Sequence, residues 1–129
     1  MGIAHITLAA RDVRRTSQFF AFTLGWRPLD RPNNIALPAA WLEIAPGQEL
    51  HLVQAADFEP SPFEREYGRH IAVTYSQDCF ADLKDRLRTE GAEIIAPLRE
   101  TPFERFFFCN PDGYVFEVIA EGSPNKNHE

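Results

Sequence analysis

Apolar and polar positions alternate along several short stretches of this chain and follow a helical spacing in two longer ones. In the first half, the helical spacing runs from Val13 to Leu24, with Asp12 as the predicted N-cap and Gly25 as the stop. The alternating stretches on either side of this helix predict strands. These predicted strands are residues 2–9, 26–29, 40–44 and 49–53.

The second half of the chain repeats this order of elements. Asp78 is the predicted N-cap of a helix with one apolar face, and this helix ends near Gly91. Residues 110–113 read Asn-Pro-Asp-Gly, which predicts a tight turn between two strands. The predicted strands of this half are residues 69–75, 93–98, 105–109 and 114–120.

Four landmarks recur at nearly the same distance in the two halves. His5 and His70 lie 65 residues apart. A separation of 66 residues is shared by Asp12 and Asp78, by Gly25 and Gly91, and by His51 and Glu117. A fixed offset held in the same order indicates an internal duplication. We therefore predict an α+β fold of two βαβββ modules that form curved mixed sheets around a central cup.

The duplication divides the chain into two modules that belong to one structural domain. Residues between the modules include Pro60, Pro62 and a cluster of charges, which is typical of a linker. The predicted bounds are 1–54 for the first module, 55–67 for the linker, 68–121 for the second module and 122–129 for a flexible tail.

Bulk composition excludes several classes of partner. The formal net charge of −6 argues against nucleic-acid binding, which requires a basic face. No apolar run is long enough to span a bilayer, and the first residues lack the features of a secretory leader. We therefore expect a cytoplasmic protein without a membrane partner. Cys79 and Cys109 lie in apolar surroundings and are predicted to be small core residues in a reducing compartment.

Each half carries a candidate metal ligand on its first strand and another on its last. The four candidates are His5, His51, His70 and Glu117. If they converge, imidazole nitrogens and a carboxylate suit one divalent ion such as Ni, Zn, Mn, Co or Fe(II), whereas a softer metal would favour thiolates. Glu117 also lies within an apolar run, where a buried carboxylate is costly unless it is paired or metal-bound.

The same residues resemble the vicinal oxygen chelate superfamily, which includes glyoxalase I, fosfomycin-resistance proteins, methylmalonyl-CoA epimerase, extradiol dioxygenases and bleomycin-resistance proteins. The resemblance runs from about Ile3 to Ala120. Residues 5–8, His-Ile-Thr-Leu, and residues 110–117, Asn-Pro-Asp-Gly-Tyr-Val-Phe-Glu, are similar to its opening and closing motifs. These motifs identify the fold well and the reaction poorly.

The resemblance implies roles for individual residues. His5, His70 and Glu117 match the three ligands that most metal-dependent members share. His51 matches the fourth position, where glyoxalase I has Glu and the epimerase has Gln, so it is a candidate ligand, base or neighbouring group. Thr7 matches a threonine that fosfomycin-modifying members place beside the reacting oxygen.

Strand alternation adds candidates for a substrate pocket. If Glu117 points toward the site, Arg105, Phe107 and Cys109 form the facing set on the neighbouring strand. A guanidinium binds carboxylates and phosphates well, so Arg105 is a candidate for an anionic substrate group, with a solvated strand-end charge as the alternative. Trp41 is predicted to line the pocket or to pack in the core.

The leading functional hypothesis is a metal-dependent enzyme of the lyase or isomerase type. It would stabilise the oxyanion of a small substrate on the ion, with Glu117 or His51 as the proton-transfer group and Thr7 beside the substrate oxygen. The alternatives are an Fe(II) extradiol-type dioxygenase, a metal-free binding protein of the bleomycin-resistance type and a fosfomycin-modifying enzyme. We also expect a homodimer, in which the cup forms either within one chain or by exchange between two.

Overall fold

The computed structural model of the protein describes residues 1–122, which group into two compact units. Unit 1 is Met1–Glu59, and unit 2 begins at Pro60. Unit 1 contains β1 His5–Ala10, α1 Val13–Thr23, β2 Arg27–Leu29, β3 Ala39–Ala45 and β4 Gln48–Gln54. Unit 2 contains β5 Ile71–Tyr75, α2 Phe80–Thr89, β6 Glu93–Ile95, β7 Arg105–Cys109 and β8 Val115–Ala120.

Each unit arranges its four strands in one mixed sheet. The strand orders are β1-β4-β3-β2 in unit 1 and β5-β8-β7-β6 in unit 2. In both sheets the first strand pairs in parallel with the last, and the remaining neighbours are antiparallel. The prediction of an α+β fold built from two βαβββ modules with mixed sheets is therefore confirmed.

The strand register repeats along with the strand order. His51 of β4 lies opposite Trp41 of β3, and Glu117 of β8 lies opposite Phe107 of β7. His51 and Glu117 are 66 residues apart, and so are Trp41 and Phe107. The duplication therefore includes the pairing of individual residues in the two sheets. The spacing of the sequence landmarks is thus reproduced by backbone pairing.

Each helix covers the apolar face of the sheet in its own unit. In unit 1, Leu42, Leu50 and Leu52 are fully buried, and α1 contributes Phe19 and Phe20 to the same core. In unit 2, the buried residues of α2 are Phe80, Leu83 and Leu87, and Phe80 meets Phe106 edge to face with ring centroids 5.1 Å apart. The opposite face of each sheet carries the candidate site residues.

The start of α1 follows the sequence prediction, whereas the start of α2 does not. The Asp12 carboxylate accepts hydrogen bonds from the backbone N–H groups of Arg14 and Arg15. Asp78 makes no such cap, because the chain enters α2 through a 3₁₀ turn over Gln77–Cys79 and Asp78 lies within that turn. The helix begins only at Phe80, so the prediction of Asp78 as an N-cap is wrong.

The second predicted strand of the second half is shorter than its apolar pattern suggested. Strand β6 ends at Ile95, whereas the prediction extended to residue 98. Pro97 has no N–H group for a strand ladder, and the N–H groups of Leu98 and Arg99 are bound by the Glu66 carboxylate instead. The backbone after β6 is therefore held by a side chain.

The turn before β8 has the predicted form. The Gly113 N–H donates to the Asn110 carbonyl at 2.9 Å, and the Asn110 side-chain oxygen accepts from the Tyr114 N–H at 2.9 Å. Gly113 has a φ of +100°, a conformation that glycine adopts without strain. This turn sets the start of the strand that carries Glu117.

The run Phe106–Phe108 is buried, whereas the two thiols differ in exposure. Cys79 is exposed and Cys109 is half-buried, and both are free. The prediction of a core position for Cys79 is wrong, because the 3₁₀ turn at the entry to α2 presents it to solvent. The predicted tail, 122–129, lies outside the described residues except for Gly122, and the predicted bounds of the modules and linker stay predictions.

Neither helix among residues 1–122 is long and apolar enough to cross a membrane.

Candidate functional site

The candidate residues of unit 1 lie on one face of its sheet. Register places Thr7 of β1 and Trp41 of β3 opposite His51 of β4, and it places His5 opposite Glu49. Paired residues of neighbouring strands point to the same side of a sheet, so these side chains share the face that α1 leaves uncovered. His5 and Thr7 are exposed, and His51 and Trp41 are half-buried.

The two histidines of unit 1 are stacked. The ring centroids of His5 and His51 are 4.0 Å apart, with an angle of 16° between the ring planes. On the other side of β4, the Trp41 ring lies 3.8 Å from the His51 ring at an angle of 6°. His51 is therefore held between His5 and Trp41. Sequence alternation alone gave no sign of this three-ring stack.

A carboxylate fixes one edge of the His51 ring. Its Nε2 lies 2.8 Å from Oε1 of Glu49, two residues earlier on the same strand. Histidines that bind metals commonly donate their other ring nitrogen to a carboxylate, which sets the tautomer and the ring orientation. The Glu49 contact is of this kind and would direct Nδ1 of His51 toward a bound ion. The sequence analysis did not consider Glu49.

The candidate ligands of unit 2 are in direct contact. His70 Nε2 lies 3.2 Å from Oε1 of Glu117, and His70 Nδ1 lies 3.2 Å from the carbonyl oxygen of Arg65. A carbonyl oxygen only accepts hydrogen bonds, so Nδ1 carries a proton. Nε2 and the Glu117 oxygen are then two acceptor atoms that need a shared proton or a bound cation between them. Two ligand atoms of one ion with bonds near 2.1 Å lie about 3 Å apart, which matches this pair.

Arg105 holds the second oxygen of Glu117. Its Nη1 donates to Oε2 of Glu117 at 3.0 Å, and its Nη2 donates to Oε2 of Glu66 at 3.0 Å and to the Arg99 carbonyl at 2.6 Å. The side chains of these three charged residues are at least 90% buried. Arg105, Phe107 and Cys109 lie on the strand next to Glu117 and on the same face of the sheet, with Phe107 directly opposite Glu117.

The charges in this network shift two pKa values. Burial by itself would raise the pKa of Glu66, but hydrogen bonds from the Leu98 and Arg99 N–H groups and from Arg105 outweigh burial and lower it. Burial by itself would lower the pKa of Arg105, but its contacts with Glu117 and Glu66 outweigh burial and raise it. Glu66 and Arg105 are therefore held in their charged forms. The alternative of a solvated strand-end charge for Arg105 is wrong, because its side chain is buried.

Two glutamates of the predicted linker belong to unit 2. Glu66 binds Arg105 and the backbone after β6, and Glu64 accepts hydrogen bonds from the Val115 N–H and from Arg69. The sequence analysis missed both, because the segment has no strand or helix periodicity and the nearest signal was a cluster of charges. The side chains of Glu64 and Glu66 are in fact buried and bind residues of the strands and their flanks.

The structure thus brings the four candidate ligands into two pairs, His5 with His51 in unit 1 and His70 with Glu117 in unit 2. Within residues 1–122, no three His, Cys, Asp or Glu side chains lie together as a group that could hold a metal ion. The convergence of all four on one ion stays a prediction. The first pair offers two imidazole nitrogens and the second offers a nitrogen and a carboxylate oxygen, and such donors suit divalent ions of the zinc and manganese type.

The family follows from a sequence comparison. The family model of the glyoxalase/bleomycin resistance protein/dioxygenase superfamily matches residues 2–118, which is most of the chain. The chain belongs to this superfamily. The resemblance to the vicinal oxygen chelate proteins, of which this superfamily is composed, is therefore confirmed.

Individual relatives are distant. The chain is 24% identical over 118 residues to Glyoxylase I 4 of Arabidopsis thaliana, a match that covers 88% of this chain and 67% of that protein. The fosfomycin resistance protein FosX from Mesorhizobium loti superposes with a TM-score of 0.76 at 20% identity, over 97% of this chain and 95% of that chain. Glyoxalase-type and fosfomycin-resistance relatives thus both share this fold.

One superposed structure contains a metal. A variant of FosX from Listeria monocytogenes, complexed with Mn(II) and 1S,2S-dihydroxypropylphosphonic acid, superposes with a TM-score of 0.78 at 20% identity, over 98% of this chain and 96% of that chain. At this level of identity the likeness shows the fold. Members of the superfamily therefore include a protein that binds a divalent ion and a small organic molecule.

Proposed function

We propose that this protein is a metal-dependent enzyme of the lyase or isomerase type that acts on a small oxygen-rich substrate. The observation that carries the proposal is the His70–Glu117 pair. His70 Nδ1 is committed to the Arg65 carbonyl, so its Nε2 and the Glu117 carboxylate are two ligand atoms 3.2 Å apart. A divalent ion bound by these two atoms would take the place of the proton that they otherwise share.

The proposed ligands are His70 and Glu117 of unit 2 and His5 and His51 of unit 1. A divalent ion bound by these residues would polarise a substrate oxygen and stabilise negative charge on it. Ni, Zn, Mn, Co and Fe(II) all accept nitrogen and carboxylate donors, so the donor set leaves the choice among them open. The ratio of bound ion to chain tests whether the two pairs serve one ion.

The chain's own residues would supply proton transfer and orientation. Glu117 Oε1 and the ring of His51 are the groups able to take a proton from the substrate. The exposed hydroxyl of Thr7 lies opposite His51 in the strand register and can donate a hydrogen bond to a substrate oxygen. Trp41 stacks on His51 in unit 1, and Phe107 lines a pocket in unit 2, so both are proposed to contact the substrate.

A fosfomycin-modifying activity is the second candidate. It is favoured by the position of Thr7 beside His51 and by the superposition on FosX proteins. A proposed anion-binding role for Arg105 would have to displace Glu117, Glu66 or the Arg99 carbonyl from its Nη atoms. The extradiol dioxygenase and the metal-free binding protein stay alternatives, and the experiment below separates them.

The test is metal analysis followed by an activity screen. Protein purified without added metal is analysed by mass spectrometry, stripped, and reloaded separately with Mn, Ni, Zn, Co and Fe(II). Each form is then assayed with methylglyoxal–thiol adducts, catechols and fosfomycin. We expect one or more loaded forms to turn over a substrate of the first or third class. Turnover of catechols with Fe(II) alone would replace the proposal by the dioxygenase.

Matched variants show whether the activity arises at the proposed site. Glu117→Gln keeps the size of the side chain and removes its charge, and we expect it to lose metal and activity together. His128→Ala removes a histidine outside the candidate set and serves as the control. A protein that takes up none of the five metals would contradict the enzyme proposal and favour a metal-free binding protein.

A further inference from the structure

Unit 2 contains a small pocket beside the His70–Glu117 pair. Its volume is about 150 Å³, and its walls include Ile95, Val115 and Phe107. Phe107 lies opposite Glu117 in the strand register, and its ring meets the His70 ring edge to face with centroids 5.3 Å apart. The pocket therefore adjoins the two proposed ligands on the same face of the sheet.

Two glutamates also line this pocket, but their carboxylate oxygens already accept hydrogen bonds from the protein. Glu64 accepts hydrogen bonds from the Val115 N–H at 2.8 Å and from Arg69 Nε at 2.6 Å, one on each carboxylate oxygen. Both oxygens of Glu66 are likewise occupied, by the backbone after β6 and by Arg105. Neither carboxylate has an oxygen left without a donor. The two glutamates therefore attract a cationic group of a ligand less than unpaired carboxylates would.

The size of the pocket limits what fits it. A cavity of roughly 150 Å³ lined by apolar side chains is large enough to hold one benzene molecule. The pocket is thus suited to a single ring or a branched alkyl group of similar volume.

We infer that this pocket binds a neutral apolar group about the size of a benzene ring, carried by the substrate whose oxygens are held at Glu117. The link to the substrate rests on the proposed function, whereas the pocket's preference for an apolar group rests on its walls and volume. The inference narrows the substrate class to small oxygen-rich molecules with one compact apolar substituent.

Fluorine NMR of metal-free protein tests the preference directly. Fluorobenzene, 4-fluorobenzoate and 4-fluorobenzylammonium are titrated separately, and saturable binding at one site is measured from the fluorine signal. We expect fluorobenzene to bind more tightly than either charged probe. Tighter binding of the benzoate would overturn the inference, because Arg65, which also lines the pocket, would then be attracting an anion.

Two exposed leucines provide a matched pair of variants. Leu98 lines the pocket, and its side chain is 76% exposed, so Leu98→Asn removes an apolar wall without disturbing a core. Leu37 of unit 1 is 48% exposed and lies outside the pocket, so Leu37→Asn is the control. We expect fluorobenzene affinity to fall about fivefold or more in Leu98→Asn and to stay unchanged in Leu37→Asn.

The outcomes also separate this inference from the proposed function. Absent or non-saturable fluorobenzene binding, or equal binding by the two leucine variants, overturns the pocket inference even if the protein binds metal. A protein that binds fluorobenzene as described but takes up no divalent ion contradicts the proposed function and with it the link to a metal-bound substrate. Apolar binding and metal uptake together support both.

Discussion

Arg105 and Glu117 form a buried ion pair in which Nη1 lies 3.0 Å from Oε2. Oε1 of Glu117 is not part of this ion pair and lies 3.2 Å from His70 Nε2, so the two carboxylate oxygens have different partners. Glu66 binds the other end of the same guanidinium. The carboxylate that we propose as a metal ligand is thus oriented by an arginine that is itself held in place.

The orientation of Glu117 by Arg105 predicts a loss of metal affinity when the guanidinium is replaced. Arg105→Lys keeps a positive charge but cannot contact Glu117, Glu66 and the Arg99 carbonyl in the same planar geometry. Substitution of a residue that orients a metal ligand commonly lowers metal affinity about 10- to 100-fold, and we expect a loss in this range. Calorimetric titration with Mn(II) measures it, and unchanged affinity would show that Arg105 does not position Glu117.

Removal of the Arg105 charge predicts a large loss of stability. Arg105→Met leaves two buried carboxylates without their shared cation, which is expected to lower the free energy of unfolding by about 3–5 kcal/mol. Arg27→Met is the matched control, because Arg27 pairs with Glu43 at an exposed site and such pairs contribute about 0–1 kcal/mol. Urea unfolding monitored by circular dichroism measures both, and equal losses would argue against a buried network.

The Glu66 contacts predict a dependence of stability on pH. Because the folded-state pKa of Glu66 is lowered, its contacts stabilise the protein above the unfolded-state pKa of about 4.3, and this stabilisation is lost as pH falls through the folded value. Glu66→Gln should therefore destabilise the protein most at pH 7 and progressively less below about pH 4.3. Urea unfolding of both proteins across this range gives the comparison. A difference that stays constant or grows on acidification would contradict the assigned pKa direction.

Stacking of Trp41 on His51 predicts a fluorescence signal for metal binding at unit 1. The chain has two tryptophans, and Trp26 instead stacks on Phe20 in the core with centroids 5.1 Å apart. Binding of Ni(II) at His51 is therefore expected to quench Trp41. The signal should persist in Trp26→Phe and disappear in Trp41→Phe. The opposite result would place the responding ion away from His51.

The two thiols are predicted to react at different rates. Burial and the nearby charges of Glu93 and Glu64 raise the pKa of the Cys109 thiol, and the thiolate is the reactive form. Cys79 is exposed. Iodoacetamide at pH 8 should therefore modify Cys79 at least about tenfold faster than Cys109, as followed by peptide mass spectrometry. Faster modification of Cys109 would contradict the described environment.

The fold was predictable from sequence because its signals are local or repeated. Strand alternation, the Asp12 cap and the Asn110–Gly113 turn each act over a few residues, and the offset between His51 and Glu117 supplied the equivalence of the halves. Asp78 misled the prediction because the 3₁₀ turn begins before it. The local sequence does not distinguish an aspartate that caps a helix from one that lies in a turn just before the helix.

The partners of the candidate residues were less predictable. Glu66 is 39 residues from Arg105, and the segment that contains Glu66 has no periodic pattern, so no local signal connects them. The Trp41–His51 stack depends on the register between β3 and β4. The turn that joins the two strands sets this register, and its geometry could not be predicted from the sequence. The candidate ligands could be predicted because they are rare residue types at equivalent positions of the two halves. The contacts that support them could not be predicted.

The central claim is that this chain binds a divalent ion through residues that include His70 and Glu117. The most direct measurement is calorimetric titration of stripped protein with Mn(II), compared with Glu117→Gln and the control His128→Ala. The account predicts saturable binding of one ion per chain, lost in Glu117→Gln and unchanged in the control. Absence of binding with Mn(II) and, in repeat titrations, with Ni, Zn, Co and Fe(II), or equal binding by Glu117→Gln and the unsubstituted protein, would contradict it.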